Sequence, residues 1–301
     1  MVDVKEIQKF VKKRPKVIAV YGYGSGIFKQ SSYTTNDKPQ IDLIFVVENL
    51  KDWHLKNMMI NSSDYSFTGK LYFKHASLKK LKGSTGITYL SNINYKNSTY
   101  KYGTIEEKDL ILYLQNWKSF YLPGRFQKNI LAITNSKLID EANEKNRNFA
   151  VLAALLTLPD NNNNKLFDLY VQICSLSYLG DTRMKFAENP RKVINIVEGD
   201  YEFLNKTYGK NDYVSVNDDT SLLVDYQELI KSVDLLPLEL ANYLNSSNCC
   251  NLASIKSKIL EYFTKLNKKE STEQTIKGIF TNGPIRSTKY AFAKIMKKFK
   301  H

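Results

Sequence analysis

The residues Tyr23-Gly24-Ser25-Gly26 stand directly behind a β-branched apolar run, Lys16-Val17-Ile18-Ala19-Val20-Tyr21. Sixteen residues after Gly26 comes Asp42, near the head of a second apolar run, Ile41–Val47. Glycines after a strand let backbone N–H groups approach a phosphate, and an acid on the neighbouring strand can hold a metal ion. Two well-known phosphate motifs fit poorly. A dinucleotide-binding unit needs a helix straight after the glycines and an acid at the far end of the second strand. Here Asp42 is at the strand's start, and 29–39 is too polar and irregular for that helix. A Walker loop is excluded because no Gly-Lys-Ser/Thr follows the turn.

A strand, a Gly-Ser turn, a loop and an acid on the next strand resemble the nucleotidyltransferase fold of the DNA polymerase β type. In that fold the turn holds a triphosphate and the strand acid binds the metal. Two acids two residues apart are usual there, but Gln40 occupies the partner position. A second acid must come from elsewhere, and Asp109 is the best candidate. Asp109 reads equally well as an acid at a helix N-terminus, stabilised by the helix dipole.

The pattern around these residues predicts the elements that carry them. A short amphipathic helix covers 3–13 and Pro15 ends it. The two apolar runs are strands, a helix follows near 51–60, and 84–105 alternates Thr, Tyr and Ile as two more strands. This mixed α/β domain is drawn as 1–113. From Asp109 the apolar spacing turns helical, as in Leu110, Tyr113, Leu114 and Trp117. Further helices are expected over 144–158 and 165–179, with a polar hairpin or loop at 209–221. A mainly helical, winged-helix-like domain is drawn as 114–265. Residues 265–275 read as a linker into a C-terminal element, 266–301.

The 301 residues are enough for two domains without disulfides or structural metals. No apolar run approaches the roughly 18 residues of a spanning helix. Lys plus Arg is 44 against 30 Asp plus Glu, a net charge of +14, which attracts nucleotides, nucleic acid or an acidic lipid surface. The odd count of three cysteines, two of them the adjacent Cys249 and Cys250, fits a reducing compartment. Three scattered histidines with no ligand spacing argue against zinc. The charged N-terminus is neither a secretory signal nor a transit peptide.

Several strings, in order, are similar to the mitochondrial translocator assembly and maintenance family, which are peripheral phosphatidate cytidylyltransferases. They include Tyr23-Gly24-Ser25-Gly26-Ile27-Phe28-Lys29-Gln30, Ile41-Asp42-Leu43-Ile44-Phe45-Val46-Val47 and Trp53-His54-Leu55-Lys56-Asn57. Farther on are Lys101-Tyr102-Gly103, Gly124-Arg125-Phe126-Gln127-Lys128, Leu176-Ser177-Tyr178-Leu179-Gly180-Asp181-Thr182-Arg183-Met184 and Lys277-Gly278-Ile279-Phe280-Thr281. The series covers about 20–290, with 205–265 departing freely. The absent presequence suggests a bacterial member or a trimmed chain.

The resemblance implies CTP and phosphatidate as substrates and CDP-diacylglycerol and pyrophosphate as products, with Mg²⁺ as cofactor. It implies that Gly24, Ser25 and Gly26 hold the triphosphate, with Ser25 and Lys101 in the catalytic set. Asp42 binds the metal, with Asp109 as its candidate second ligand. Arg125 and Lys128, three apart, share a helix face if that segment is helical, and either meet phosphate or form a solvated basic face. Asp181 and Arg183 form a structural ion pair or contact substrate. His54 reads as structural. The acceptor phosphate is already an anion, so no general base is required.

The expected address is a peripheral one: the cytoplasmic face of a bacterial membrane, or the matrix face of the mitochondrial inner membrane if organellar. The anchor would be 287–301, where Phe292, Ile295, Met296 and Phe299 form one helical stripe flanked by Lys289, Lys294, Lys297, Lys298 and Lys300. Such a basic amphipathic helix lies in the headgroup plane of anionic membranes. Two rival readings are a nucleotidyltransferase acting on RNA and a non-catalytic nucleic-acid-binding module. The serial strings and the amphipathic C-terminus favour the lipid enzyme, with no nucleic acid partner.

Overall fold

Strand alternation in the first 135 residues builds one sheet with two buried faces. The structure, a computed structural model, describes residues 3–28, 39–159, 164–186, 189–217, 220–247, 249 and 251–283. Helix α1 (Val4–Lys12) is capped by Asp3, whose carboxylate accepts from Lys5 and Glu6 N–H. Then come β1 (Ala19–Tyr23), β2 (Ile41–Val47), α2 (Leu50–Ile60), α3 (Phe67–His75) and α4 (Leu78–Lys82). The hairpin β3 (Thr88–Tyr95) and β4 (Ser98–Glu106) runs straight into α5 (Glu107–Asn116), followed by the single turn α6 (Pro123–Phe126) and β5 (Ile130–Thr134).

The sheet order is β3-β4-β2-β1-β5. Strands β2 and β4 are parallel, and the other neighbours are antiparallel. Because successive side chains point to opposite faces, Val20, Leu43, Phe45 and Tyr102 pack with Ile7, Phe10, Trp53 and Phe73 on one side. Ala19, Tyr21, Ile44, Val46 and Ile105 pack with Leu110, Leu114, Phe126 and Ile139 on the other. The strand expected from Lys16 begins at Ala19, although Ile18 N–H already donates to Val46 O at 2.7 Å.

The rest is mainly helical: α7 (Lys137–Leu155), α8 (Leu166–Ser175), α9 (Thr182–Phe186), α10 (Lys192–Gly199) and α11 (Tyr201–Tyr208). A two-stranded hairpin, β6 (Ser215–Val216) and β7 (Leu222–Leu223), falls within the polar segment expected at 209–221 and just beyond it. Then come α12 (Tyr226–Lys231), α13 (Leu238–Ser246) and α14 (Leu252–Asn282). These helices share a core of Trp117, Phe120, Leu169, Tyr170, Ile173, Ile259 and Phe263.

Two expectations change. The sheet takes its edge strand β5 from beyond residue 113. No linker interrupts 265–275, which lies inside the 31-residue helix α14. The polar letters there misled because they make specific contacts. Asn267 donates to Leu176 and Leu179 O, Glu270 accepts from Phe120 N–H, and Glu273 accepts from Ser84 N–H at 2.8 Å. Lys277 buries its ammonium among the carbonyls of Leu81, Lys82 and Ile87 at 2.8–3.1 Å. Helix α14 thus ties the helical region to β3 and α3. Among the described residues, no helix is long and apolar enough to cross a membrane. The proposed anchor, 287–301, and the polar loop at 29–38 lie outside the described residues.

Candidate active site

Three strands bring Tyr23, Asp42 and Lys101 into one row. Asp42 pairs with Tyr23 across the antiparallel β1–β2 ladder and with Lys101 across the parallel β2–β4 ladder. All three share parity with the Tyr21, Ile44 and Ile105 face of the sheet. The turn after β1 closes tightly, as Ile27 and Phe28 N–H both donate to Gly24 O at 3.0 Å. Gly24 has φ +75°, a backbone region open to glycine, and a Cβ there would stand 3.7 Å from Asp42 Oδ2. The Gly26 position abuts Gln40 O so closely that a Cβ would come within 2.1 Å. Ser25, half-buried, lies between them.

Asp42 Oδ1 is buried and, among the described residues, accepts no hydrogen bond. Lys101 Nζ stops 4.0 Å short of it, an ion pair at the limit of contact. Lys101 lies instead over the Tyr89 ring, 4.5 Å from its centroid. Tyr89 reaches this place because its ladder partner is Gly103. A Cβ at 103 would sit 2.5 Å from the Tyr89 ring. Gln40 donates to Asn92 at 3.4 Å.

A second layer comes from the helical side. Arg125, in α6, lies over the rings of Tyr121 (4.3 Å) and Tyr23 (5.2 Å). Its Nε is buried and has no hydrogen-bond partner among the described residues. Arg183 stands 6.0 Å from the same Tyr121 ring. Asp181 fixes that guanidinium, accepting from Arg183 Nε at 2.9 and 3.1 Å and from its backbone N–H at 2.9 Å. Burial raises the pKa of Tyr121, but the charges of Arg125, Arg183 and Lys101 outweigh it and bring the phenol down to about 7. Burial pushes Tyr23 well above its ordinary range, so it stays a neutral phenol.

The fold therefore brings Gly24, Ser25, Gly26, Asp42, Lys101, Arg125, Asp181 and Arg183 toward one end of the sheet. Two expected residues are placed differently. Lys128 follows the single turn α6 and donates inward to Gly124 O and to Ser177 Oγ at 2.7 Å. Burial lowers its pKa to about 8. Asp109 is at the other end of β4, with Lys82 Nζ 2.7 Å away. That is an ion pair by distance, although its approach is out of line for a hydrogen bond. Asp42 pairs with Lys101 while Val47 pairs with Glu106, so five residues of strand, roughly 17 Å, separate the two ends. Asp109 is the dipole-stabilised acid of its alternative reading.

Among the described residues, no cluster of three or more His, Cys, Asp or Glu side chains is formed. His54 is fully buried, hydrogen-bonded to Tyr65 at 2.9 Å and stacked on Phe73; burial drives its pKa to about 3. It is structural.

The tyrosines were the residues that the sequence alone did not assign. Tyr89 reads there as core, and Tyr121 carries no signal beyond its four-residue spacing from Arg125. The Gly24 turn, the strand acid Asp42 and the arginine layer lie together, and such a set can receive a polyanion.

A family model described as "Phosphatidate cytidylyltransferase, mitochondrial" matches residues 7–234. The chain belongs to that family. The protein of that name from Schizosaccharomyces pombe is 35% identical over 311 positions, covering 92% of this chain and 79% of its own length. The Saccharomyces cerevisiae protein is 33% identical, with 93% and 67% covered. The Dictyostelium discoideum protein is 40% identical over 212 positions, and the match spans 64% of this chain and about half, 49%, of that relative. The family match contains every residue of the site from Gly24 to Arg183 and stops before α14.

Proposed function

We infer that this chain is a phosphatidate cytidylyltransferase, joining CTP and phosphatidate to give CDP-diacylglycerol and pyrophosphate. The names of the relatives supply the substrates. The observation that carries the reading is the Asp42 carboxylate, with one buried oxygen accepting no hydrogen bond, beside the Gly24 turn. Leaving a buried polar group unsatisfied costs about 1–3 kcal/mol, more for a charged one. Such a group stands ready for a ligand.

The donor set fits Mg²⁺. That ion keeps several waters and takes one or two carboxylates with substrate phosphates, so a lone Asp42 is compatible with it. Bound there, Mg²⁺ would neutralise charge on the transferring phosphoryl group. The Gly24-Ser25-Gly26 turn holds the triphosphate through backbone N–H groups. Lys101, Arg125 and Arg183 offset the repulsion between two phosphate-bearing substrates, and Asp181 keeps the Arg183 fork oriented. A phosphatidate phosphate oxygen forms a bond to the α-phosphorus of CTP as the bond to the pyrophosphate oxygen breaks. The nucleophile is already an anion, so no side chain needs to remove a proton, in keeping with a structurally locked His54.

The strand–turn–strand arrangement supports a polymerase-β-type nucleotidyltransferase domain. The helices with the β6–β7 hairpin support a winged-helix-like second unit. The lipid substrate calls for work at a membrane surface, with 287–301 as a basic anchor. The relatives' name favours a mitochondrial address, for which the matrix face of the inner membrane is our proposal; a bacterial cytoplasmic face is the alternative. The net charge of +14 would also suit RNA, but the relatives are named for a lipid reaction. Labelled CTP with Mg²⁺ and either phosphatidate vesicles or RNA is the test. Label in CDP-diacylglycerol, lost on chelation, is expected, whereas label only in RNA would overturn the reading.

A further inference from the structure

Helices α3 and α14 meet along a seam that leaves large apolar side chains in solvent. Phe67 is 77% exposed and Phe280 54% exposed, and Leu71, Ile276 and Ile279 are exposed as well. Phe67 and Leu71 are four apart on α3. Ile276, Ile279 and Phe280 have the i, i+3, i+4 spacing of one face of α14. The two ridges adjoin. The rings of Tyr72 and Phe280 lie 6.2 Å apart and nearly parallel, Ser66 Oγ donates to Thr281 O at 3.2 Å, and a Cβ on Gly69 would meet that same carbonyl.

The seam is rigid. The Lys277 ammonium is held by three carbonyls, and Asn282 Oδ1 accepts from Ser91 N–H at 2.7 Å. An exposed contiguous apolar patch of this kind marks a contact surface.

The charge around the patch indicates what covers it. From Phe67 to Leu81 the chain carries Lys70, Lys74, Lys79 and Lys80 and no acid; Lys82 beyond them is taken up by Glu106 and Asp109. Of the acids nearby, Asp64 is buried against Arg14, and Glu273 is bound to Ser84. Apolar rings within a field of lysines suit the boundary between anionic headgroups and acyl chains.

We propose that the α3–α14 seam is a rigid lipid-contacting face, which seats Phe67 and Phe280 in the surface of an anionic bilayer. The proposal rests on the reading of this chain as a lipid enzyme and deepens it. Stable anchoring takes two signals, since one weak anchor binds only marginally. The seam supplies one. The second is the basic segment already proposed as an anchor, 287–301, and a Cβ on Gly283, the last described residue before it, would stand 3.3 Å from Ser66.

The test uses the full chain and the double variant Phe67→Ser/Phe280→Ser. Flotation on phosphatidylcholine vesicles with and without phosphatidylglycerol measures binding. On anionic vesicles the variant is expected to bind at least about tenfold less. Turnover of vesicle phosphatidate should fall with it, while CTP binding, melting temperature and turnover of detergent-dispersed phosphatidate stay unchanged. The variant Lys70→Glu/Lys74→Glu, which keeps the apolar ridges, should lose binding to the anionic vesicles alone. Undiminished flotation of both variants overturns the proposal. So does a wild-type dimer that Phe67→Ser/Phe280→Ser converts to monomer without loss of flotation, which would make the seam a self-contact. Wild-type protein inactive on dispersed phosphatidate would instead overturn the enzymatic reading, and flotation would still decide the role of the seam.

Discussion

At the end of the sheet where β4 runs into α5, Glu106 accepts from Leu50 N–H at 3.1 Å. Lys82 and Lys108 stand 2.7 and 3.1 Å from it, and Lys82 also reaches Asp109 at 2.7 Å. At the opposite end, among the described residues, the cation paired with Asp42 is Lys101 at 4.0 Å, and Asp42 Oδ1 has no donor. Both ends combine acids and lysines, on the neighbouring strands β2 and β4 at one end and on β4, α4 and α5 at the other, so the letters alone do not separate them. The difference is the reach of the cations: at one end Lys82 and Lys108 close on Glu106 and Asp109 at 2.7–3.1 Å and hold α4 and α5 to the sheet, although Asp109 Oδ2, like Asp42 Oδ1, accepts no hydrogen bond among the described residues. The other is held open by a glycine turn and by Lys101 lying over Tyr89. A carboxylate whose cation stays 4.0 Å away is the one more available to a ligand.

Asp42→Asn should show this contrast most strongly. Cytidylyl transfer should fall by about 10²–10³-fold or more, with an unchanged melting curve, because the substitution removes charge and keeps shape. A folded Asp42→Asn protein with normal turnover would erase the distinction between the two ends.

Next in size is Arg125→Ala, which should weaken CTP binding by about 1.5–3 kcal/mol, the range for a hydrogen bond to a charged group. Calorimetry reads it, and unchanged affinity would detach the arginine layer from the site.

Glu106→Gln should do the reverse of Asp42→Asn, with turnover kept and stability lowered by about 1–3 kcal/mol as Lys108 loses its partner and Lys82 is left with Asp109. Burial works against the Glu106 charge, yet Lys82, the Leu50 N–H and Lys108 hold its pKa below the usual value. A depressed acid stabilises the fold above its unfolded pKa, and that contribution fades as pH falls. Denaturation curves of wild type and Glu106→Gln should therefore converge in acid; a constant gap would argue against the charge as the cause.

A smaller effect is expected at Tyr121. Below pH 7 its phenol is neutral and the arginines keep their full charge. Above 7 the phenolate offsets them, and binding an anion must then take up a proton. CTP affinity should therefore drop as pH rises through about 7. Tyr121→Phe should flatten that part of the profile, and an unaltered slope would assign the titration to another group.

Asp109→Asn should have the least effect, because Lys82 keeps Glu106; turnover within about twofold of wild type and a stability loss near 1 kcal/mol are expected.

Much of this was legible because it is local. The run Ile41–Val47 is a strand to the residue, since β-branched alternation with two buried faces leaves few alternatives. The Gly24 turn was legible because positive φ and close backbone approach select glycine, and the turn lies a fixed distance from Asp42. The α14 segment was misread because Asn267, Glu270, Glu273 and Lys277 look like solvent-facing letters until their partners, up to 196 residues away, are in place.

The sequence by itself determined the alternation that makes the sheet, the glycine turn, the acid at the head of β2 and a charge balance suited to polyanions. Each of these is set by neighbours along the chain, where sterics and side-chain period act. Only the tertiary structure decided which acids are occupied and which is open, that Asp109 belongs to the far end of β4, that Tyr121 sits between Arg125 and Arg183, and that α14 closes onto α3. Those outcomes depend on strand register and on the pairing of buried charges between segments remote in sequence. The cost of leaving a buried charge unpaired is fixed only once folding has chosen its neighbours.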